Sequence, residues 1–159
     1  MRPSLSFRFA WPTLHRTVLT LLLGTVLAGG CRREHVLARQ GDVVITGGYA
    51  HPSSGDAGAV YVQLRNVGEA PDTLIGLSGP DPAVAMLMGT TGGRMEMLPP
   101  LVINPGEQVI MQPGGMHVML SGLTGEYKIG DTLRLTLTFT RAGQIVIAPP
   151  VVPFGELPK

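Results

Sequence analysis

The chain has 159 residues, of which 44% are hydrophobic and 14% charged, and this length is typical of a single domain. Its 22 glycines and 14 prolines predict many turns, but hydrophobic residues recur throughout, so the composition indicates a folded chain. The formal net charge is only +1 and no basic stripe is present, which argues against binding to nucleic acid. The single cysteine excludes an internal disulfide and any paired-thiol zinc or redox motif.

The first thirty residues have the pattern of an export signal. Residues 1–17 are basic, with arginine and histidine but no acidic residue, and residues 18–28 are uncharged and mostly apolar. A basic segment followed by an apolar one is typical of a signal peptide. The apolar run is much shorter than the ~20 residues that a membrane-spanning helix needs. The pattern therefore indicates export and does not indicate a membrane-embedded helix.

Cys31 stands at the end of this segment, where a bacterial lipoprotein signal places the cysteine that becomes lipidated. Such signals usually carry leucine three residues before the cysteine, whereas this chain has Ala28 there and Leu27 one position further away. We interpret residues 1–30 as a lipoprotein-type signal peptide and Cys31 as the lipid-anchored N-terminus on the periplasmic side of a membrane. If Cys31 is not lipidated, the mature protein is instead soluble in the periplasm.

The mature chain is predicted to consist of a tether and one domain. Residues 31–41 are polar and predict a lipid-anchored tether, and residues 42–159 predict the folded domain, in which short β-like segments alternate with turn residues. The predicted strands are Val43–Ile45, Ala59–Asn66, Thr73–Leu77, Val84–Met88, Met95–Leu98, Gln108–Met111, His117–Leu120, Thr132–Phe139 and Gln144–Ala148. Because no segment has helical periodicity, the pattern predicts an all-β sandwich or barrel.

Methionine is unevenly distributed along the chain. Apart from Met1, all seven methionines lie between positions 86 and 119, and His117 stands among them. They are Met86, Met88, Met95, Met97, Met111, Met116 and Met119. Residues two apart on a strand point to the same face, so the pairs 86/88, 95/97 and 117/119 each present both side chains on one side. Thioethers and imidazole favour Cu(I), whereas zinc prefers thiolates, several imidazoles or carboxylates.

The order of these residues resembles the signature of the periplasmic copper chaperones called PCu(A)C. That signature has His or Met, ten residues, Met, about twenty-one residues and then His-x-Met. In this chain ten residues separate Met86 from Met97, and nineteen separate Met97 from the sequence His117-Val-Met119. The resemblance extends over residues 42–151 and includes the stretch Pro113–Leu123.

Two departures from the family pattern concern the site. Met86 stands where the family commonly has histidine followed by glutamate, and Leu87 follows it here. The spacing before His117 is two residues shorter than in the family pattern. A deletion of two residues in the turn 98–108 preserves strand parity, so His117 keeps its face of the sheet.

The resemblance implies a cupredoxin-like Greek-key β-sandwich that carries one Cu(I) in the periplasm. It implies that the metal ligands are Met86, Met97, His117 and Met119, with Met88 as an alternative to Met86 because both lie on the same face. It also implies a copper-accepting partner, either a subunit of cytochrome c oxidase with its dinuclear copper centre or another copper chaperone.

Two further functions stay open on sequence grounds. One is a periplasmic copper-sequestering protein without a dedicated acceptor, and the other is a methionine-rich docking surface that binds no metal. An enzyme is not expected, because the sequence offers neither a Ser-His-Asp arrangement nor paired carboxylates on one strand face. Met111 and Met116 are predicted to be structural. His51 follows a turn and precedes Pro52, which predicts an exposed loop residue.

Overall fold

The computed structural model describes residues 35–53, 55–80 and 82–157, which belong to one compact unit of the chain. The predicted signal peptide and Cys31 lie outside these residues. The described part of the chain forms eleven β-strands and no α-helix, which confirms the predicted all-β class. None of its segments is a helix with the length and apolar character needed to cross a membrane. The strands are β1 Val36–Gln40, β2 Val43–Ala50, β3 Ala57–Asn66, β4 Asp72–Ser78, β5 Val84–Thr91, β6 Arg94–Met97, β7 Leu101–Ile103, β8 Gln108–Ile110, β9 His117–Ser121, β10 Leu135–Phe139 and β11 Gly143–Ile147.

The strands form two antiparallel sheets with a shared hydrophobic core. The larger sheet has the order β1-β2-β3-β9-β5-β6, with β8 also paired to β3, and the smaller sheet has the order β11-β10-β4-β7. Side chains along a strand point alternately to opposite faces, so one face of each central strand enters the core between the sheets. Val60, Val118 and Leu137 are examples and are fully buried. The finer detail of a cupredoxin-like Greek key stays a prediction.

The domain begins earlier in the chain than the sequence pattern indicated. β1 lies within residues 31–41, the segment predicted to be a tether, and it pairs with β2 through Gln40 opposite Val43. Gly41 makes the reversal with a φ of 56°, a left-handed conformation that glycine adopts at little cost. The tether prediction is therefore wrong for residues 36–40, because β2 is longer than predicted and offers them backbone hydrogen bonds. The three-residue strand β7 was also not predicted.

β5 and β6 form a tight hairpin that carries four of the methionines. Gly92 and Gly93 connect the two strands with φ values of 59° and 81°. Positive φ at both positions is the conformation of a two-residue type I′ turn, whose twist matches that of the flanking strands. This short turn fixes the register of the hairpin and places Met88 opposite Met97.

A buried carboxylate connects β4 to the turn after β10. Asp72 is only 3% exposed, and it accepts hydrogen bonds of 2.7–2.9 Å from the backbone amides of Thr73, Arg141 and Ala142. Burial alone would raise the pKa of Asp72, but these hydrogen bonds and the nearby Arg141 guanidinium outweigh burial and lower the pKa. The ionised form of Asp72 therefore stabilises the folded chain.

Asp72→Asn is expected to lower the free energy of unfolding by about 2 kcal/mol at neutral pH, since a hydrogen bond to an ionised group contributes about 1.5–3 kcal/mol. The folded-state pKa of Asp72 lies below the unfolded value of about 3.9. The stabilisation is therefore complete above that value and is lost as the pH falls through the folded-state pKa. Urea denaturation of both proteins across this range measures the difference. A difference that stays constant into strong acid would contradict the role assigned to Asp72.

Candidate metal centre

The predicted ligands lie together on one surface of the larger sheet. In the register of β5 and β9, Met86 lies opposite Met119 and Met88 lies opposite His117. In the register of β5 and β6, Met88 also lies opposite Met97. Opposed residues of an antiparallel pair have Cβ atoms about 4.5–5.5 Å apart, so these five side chains form one contiguous group. We call the sheet surface that they share the methionine face.

The methionine face is the outer side of the larger sheet and opens towards the β6 edge. The residues that alternate with the group point into the core, and Leu87 and Val118 are 7% and 0% exposed. His117 is 8% exposed, whereas Met97 is 68% exposed. The other three methionines of the group are half-buried. An ion held by the group is therefore accessible from the side of Met97.

The imidazole of His117 is oriented so that one ring nitrogen stays available. Its Nδ1 lies 3.0 Å from the carbonyl oxygen of Gly115. A carbonyl oxygen only accepts hydrogen bonds, so Nδ1–H is the donor and the neutral ring keeps its lone pair on Nε2. Nε2 has no hydrogen-bond partner among the described residues. A hydrogen bond from one ring nitrogen commonly orients a histidine whose other nitrogen binds a metal.

Aromatic rings bound the group on the side away from Met97. Tyr61 on β3 lies next to His117 with ring centroids 6.1 Å apart, and Tyr49 on β2 stacks on Tyr61 at 5.0 Å. Burial raises the pKa of Tyr61, and burial followed by the proximity of Tyr61 raises the pKa of Tyr49. Both phenols are therefore neutral at physiological pH, and Tyr61 offers no anionic ligand to the group.

His51 is buried, so the prediction that it is an exposed loop residue is wrong. It is 7% exposed, and its ring stacks on Phe154 with centroids 4.6 Å apart. Its Nδ1 also lies 3.4 Å from the carbonyl oxygen of Val152. The segment that covers His51 comes from the C-terminal end of the chain, which the local sequence around Pro52 does not reveal. His51 follows β2 and stands two strands away from His117 on β9.

The available donors are neutral and rich in sulfur. Among the described residues, no three His, Cys, Asp or Glu side chains are grouped so that they could hold a metal ion. Met86 and Met97 both line a cleft of about 180 Å³ whose other walls are mainly apolar. Thioethers with one imidazole suit Cu(I), and a site without thiolates or carboxylates is poor for zinc.

The remaining methionines separate into two kinds. Met111 is 3% exposed and belongs to the core, and Met116 is partly buried and packs against the core. Both positions agree with the structural roles predicted for these two residues. Met95 lies opposite Thr90 on β5 and is 60% exposed beside the group. The central position of Met88 was not predicted. Strand parity alone identifies its face, but its position opposite both His117 and Met97 depends on the register of two strand pairs.

Comparison with known proteins gives a family and a set of related structures. The model of the LpqE-like lipoprotein family matches residues 43–151. The solution structure of the Cu(I) form of DR1885 from Deinococcus radiodurans is 32% identical, with a TM-score of 0.60, over 75% of this chain and 84% of that chain. No curated protein matches the chain.

Two PCuAC domains with lower identity share the fold. The copper-bound domain from PmoF2 is 24% identical, with a TM-score of 0.63, over 73% of this chain and 97% of that domain. The apo domain from PmoF1 is 21% identical, with a TM-score of 0.64, over 73% of this chain and 98% of that domain. The family model and the match to DR1885 confirm the family resemblance, and the Cu(I) expected from it is the ion in the DR1885 structure.

Proposed function

Because the chain belongs to the LpqE-like family of PCu(A)C-type domains, we propose that it binds one Cu(I) on the methionine face and passes the ion to a copper-accepting protein. Copper is bound in the related PmoF2 domain, and Cu(I) is bound in the DR1885 structure. The observation that carries the proposal is the register of β5 with β6 and β9, which brings together one imidazole and four thioethers.

The proposed ligands are Nε2 of His117 and the sulfurs of Met86, Met97 and Met119. Met86 and Met119 are register partners, and Met97 and His117 both lie opposite Met88, which stands on the same face of β5 as Met86; these positions support the use of a common ion. All four donors are neutral, so the bound ion keeps its positive charge. Soft, neutral donors stabilise Cu(I), while Cu(II) and Zn(II) lack the harder or anionic ligands that they prefer.

Transfer of the ion is proposed to begin at Met97. This residue is the most exposed of the four proposed ligands, and it lies on the edge strand β6. A thioether that faces solvent can be replaced by a donor of the acceptor while His117 still holds the ion. A subunit of cytochrome c oxidase or another copper chaperone is the proposed acceptor. A sequestering protein would instead retain the ion when such an acceptor is added.

The protein is proposed to act outside the cytoplasm as a lipoprotein. The support is the order of signal peptide and Cys31 in the sequence, together with the match to a family of LpqE-like lipoproteins. The lipid on Cys31 would hold the domain at the periplasmic side of a membrane, while the methionine face supplies all the metal ligands.

A set of Met→Leu variants tests the ligand set, since leucine replaces the thioether with an apolar side chain of similar size. Met86→Leu, Met97→Leu and Met119→Leu are each expected to weaken Cu(I) binding about tenfold or more, which corresponds to about 1.4 kcal/mol. Competition with a chromogenic Cu(I) chelator measures the affinity.

The matched controls are Met111→Leu, in the core, and Met88→Leu, at the centre of the group. Met111→Leu is expected to leave the affinity unchanged. Met88→Leu is expected to have a smaller effect than Met86→Leu. The proposed set is incorrect if Met88→Leu abolishes binding while Met86→Leu does not, or if Met111→Leu weakens binding as much as Met97→Leu.

A further inference from the structure

Among the described residues β6 is the last strand of the larger sheet, and its outer edge beside the metal site pairs with none of them. The amide of Leu98 donates a 2.9 Å hydrogen bond to the carbonyl of Leu87, one step beyond the register pair Met88 and Met97. In an antiparallel pair, hydrogen-bonded and non-hydrogen-bonded residue pairs alternate. The N–H and C=O groups of Met95 and Met97 therefore point away from β5. The same two residues present both their side chains to the methionine face and their backbone to the open edge.

The two residues that alternate with these methionines along β6, Arg94 and Glu96, carry opposite charges. Arg94 and Glu96 point to the face opposite the methionines, and both are exposed. Exposed edge strands commonly carry charges that discourage pairing with another chain. Opposite charges two residues apart have a different effect, because antiparallel pairing of β6 with its own copy can place each charge opposite its complement. The edge is therefore self-complementary in one register.

Hydrogen bonding and charge together select that register. The outward backbone groups of Met95 must meet those of an outward-facing residue of the second copy. If Met95 lies opposite Met95 of the second copy, Arg94 of each copy lies opposite Glu96 of the other, in the closely spaced non-hydrogen-bonded positions. A shift by two residues in one direction opposes Glu96 to Glu96, and the reverse shift opposes Arg94 to Arg94. Like charges directly opposite each other are destabilising.

We propose that β6 is a dimerisation edge, at which two copies of this chain pair antiparallel with Met95 opposite Met95. The two larger sheets then become continuous, and both methionine faces lie on the same side. Met97 and Met95 of one copy, followed by Met95 and Met97 of the second copy, form a row of thioethers between the two metal sites. This row gives Cu(I) a path from one copy to the other. The path rests on the proposed copper function, whereas the dimer does not depend on it.

The dimer is weak by its construction. Paired residues extend only from Gly93 to Met97. The surface buried by so short a strand pair is much smaller than the ~1,200–2,000 Å² that a stable complex buries. Association should therefore be concentration-dependent and rapidly reversible, which suits the exchange of an ion.

The association is tested on the apo domain from residue 34 onward. Residues 34–159 form a compact unit of their own, so this domain is expected to fold without the preceding segment. Sedimentation equilibrium from about 10 µM to 1 mM, a range that detects dissociation constants in the micromolar to millimolar range, is expected to show a mass rising from monomer towards dimer. Arg94→Glu and Glu96→Arg should each weaken association about tenfold or more, because each change turns two ion pairs into two like-charge pairs. The double reversal Arg94→Glu/Glu96→Arg should restore it.

A mass that stays monomeric at all concentrations would overturn the proposal, as would a double reversal that is no better than either single one. Both charged side chains are exposed, and thermal unfolding of each variant checks that the fold is retained. These measurements use no metal, so they stay decisive even if the domain binds no copper.

The thioether path is tested by exchange of Cu(I) from ¹⁵N-labelled loaded domain to unlabelled apo domain, followed by native mass spectrometry. Arg94→Glu is expected to slow exchange at a given concentration because it prevents pairing. Met95→Leu is expected to slow exchange about tenfold while leaving both dimerisation and Cu(I) affinity unchanged, because it removes only the intermediate sulfur. Exchange at the wild-type rate in Met95→Leu would contradict the path. Loss of Cu(I) binding by the wild-type domain would contradict the proposed function instead.

Discussion

Replacing His117 by alanine is expected to lower the affinity for Cu(I) by at least about 100-fold. Removing a residue that merely orients a metal ligand already costs about 10–100-fold, and His117 is assigned as a ligand itself. Its Nδ1 is held by the carbonyl of Gly115 at 3.0 Å, so Nε2 is presented without reorganisation of the ring. Three neutral thioethers then remain, and they hold the cation more weakly than a set that includes an imidazole. Chelator competition with the isolated domain measures the loss.

His51→Phe is the matched control for this variant. His51 is also a buried histidine, 7% exposed against 8% for His117, and phenylalanine preserves its stacking on Phe154. We expect this variant to bind Cu(I) with unchanged affinity. Equal losses in the two variants would mean that burial of a histidine, and not ligation by His117, determines the affinity.

Cys31→Ser is expected to move nearly all of the protein from the membrane fraction to the soluble fraction. Cys31 follows the apolar segment after two glycines and is the one cysteine of the sequence. A lipid-modified cysteine carrying more than one acyl chain anchors a protein stably, while a single chain gives only marginal binding. Serine cannot form the thioether through which the lipid is attached. Fractionation of cells followed by mass spectrometry of the N-terminal peptide measures both location and modification.

The same variant separates the anchor from the metal site. Because the proposed ligands all lie on β5, β6 and β9, Cys31→Ser should bind the same number of Cu(I) ions as the wild-type protein. Retention of the variant in the membrane fraction would contradict lipidation. A loss of bound copper would instead assign the thiol of Cys31 to the metal site.

The class of the fold was predictable because strands such as β10 and β11 alternate strictly between buried and more exposed residues. In β10, Leu135, Leu137 and Phe139 are buried and the threonines between them are half-buried, so the sequence itself indicates which face enters the core. β1 lacks this signal. It is an edge strand in which no residue is fully buried, and its pairing is stabilised by the backbone of β2, which composition does not reveal.

The candidate site was predictable as a set of residues but not as an arrangement. Parity assigned Met86 and Met88 to one face, and His117 and Met119 to one face, yet it does not say which residue opposes which. That information comes from the register, which the type I′ turn at Gly92 and Gly93 fixes for one strand pair. The burial of His51 depends on Phe154, far along the chain, and no local pattern indicates such a contact.

Titration of the isolated domain with Cu(I) in the presence of a competing chelator, with Zn(II) titrated in parallel, tests the central claim most directly. One equivalent of Cu(I) should bind per domain, with X-ray absorption dominated by sulfur and a smaller contribution from one imidazole, and Zn(II) should bind far more weakly. Binding of Zn(II) as tight as that of Cu(I), or a copper site without sulfur ligands, would contradict a Cu(I) centre on the methionine face.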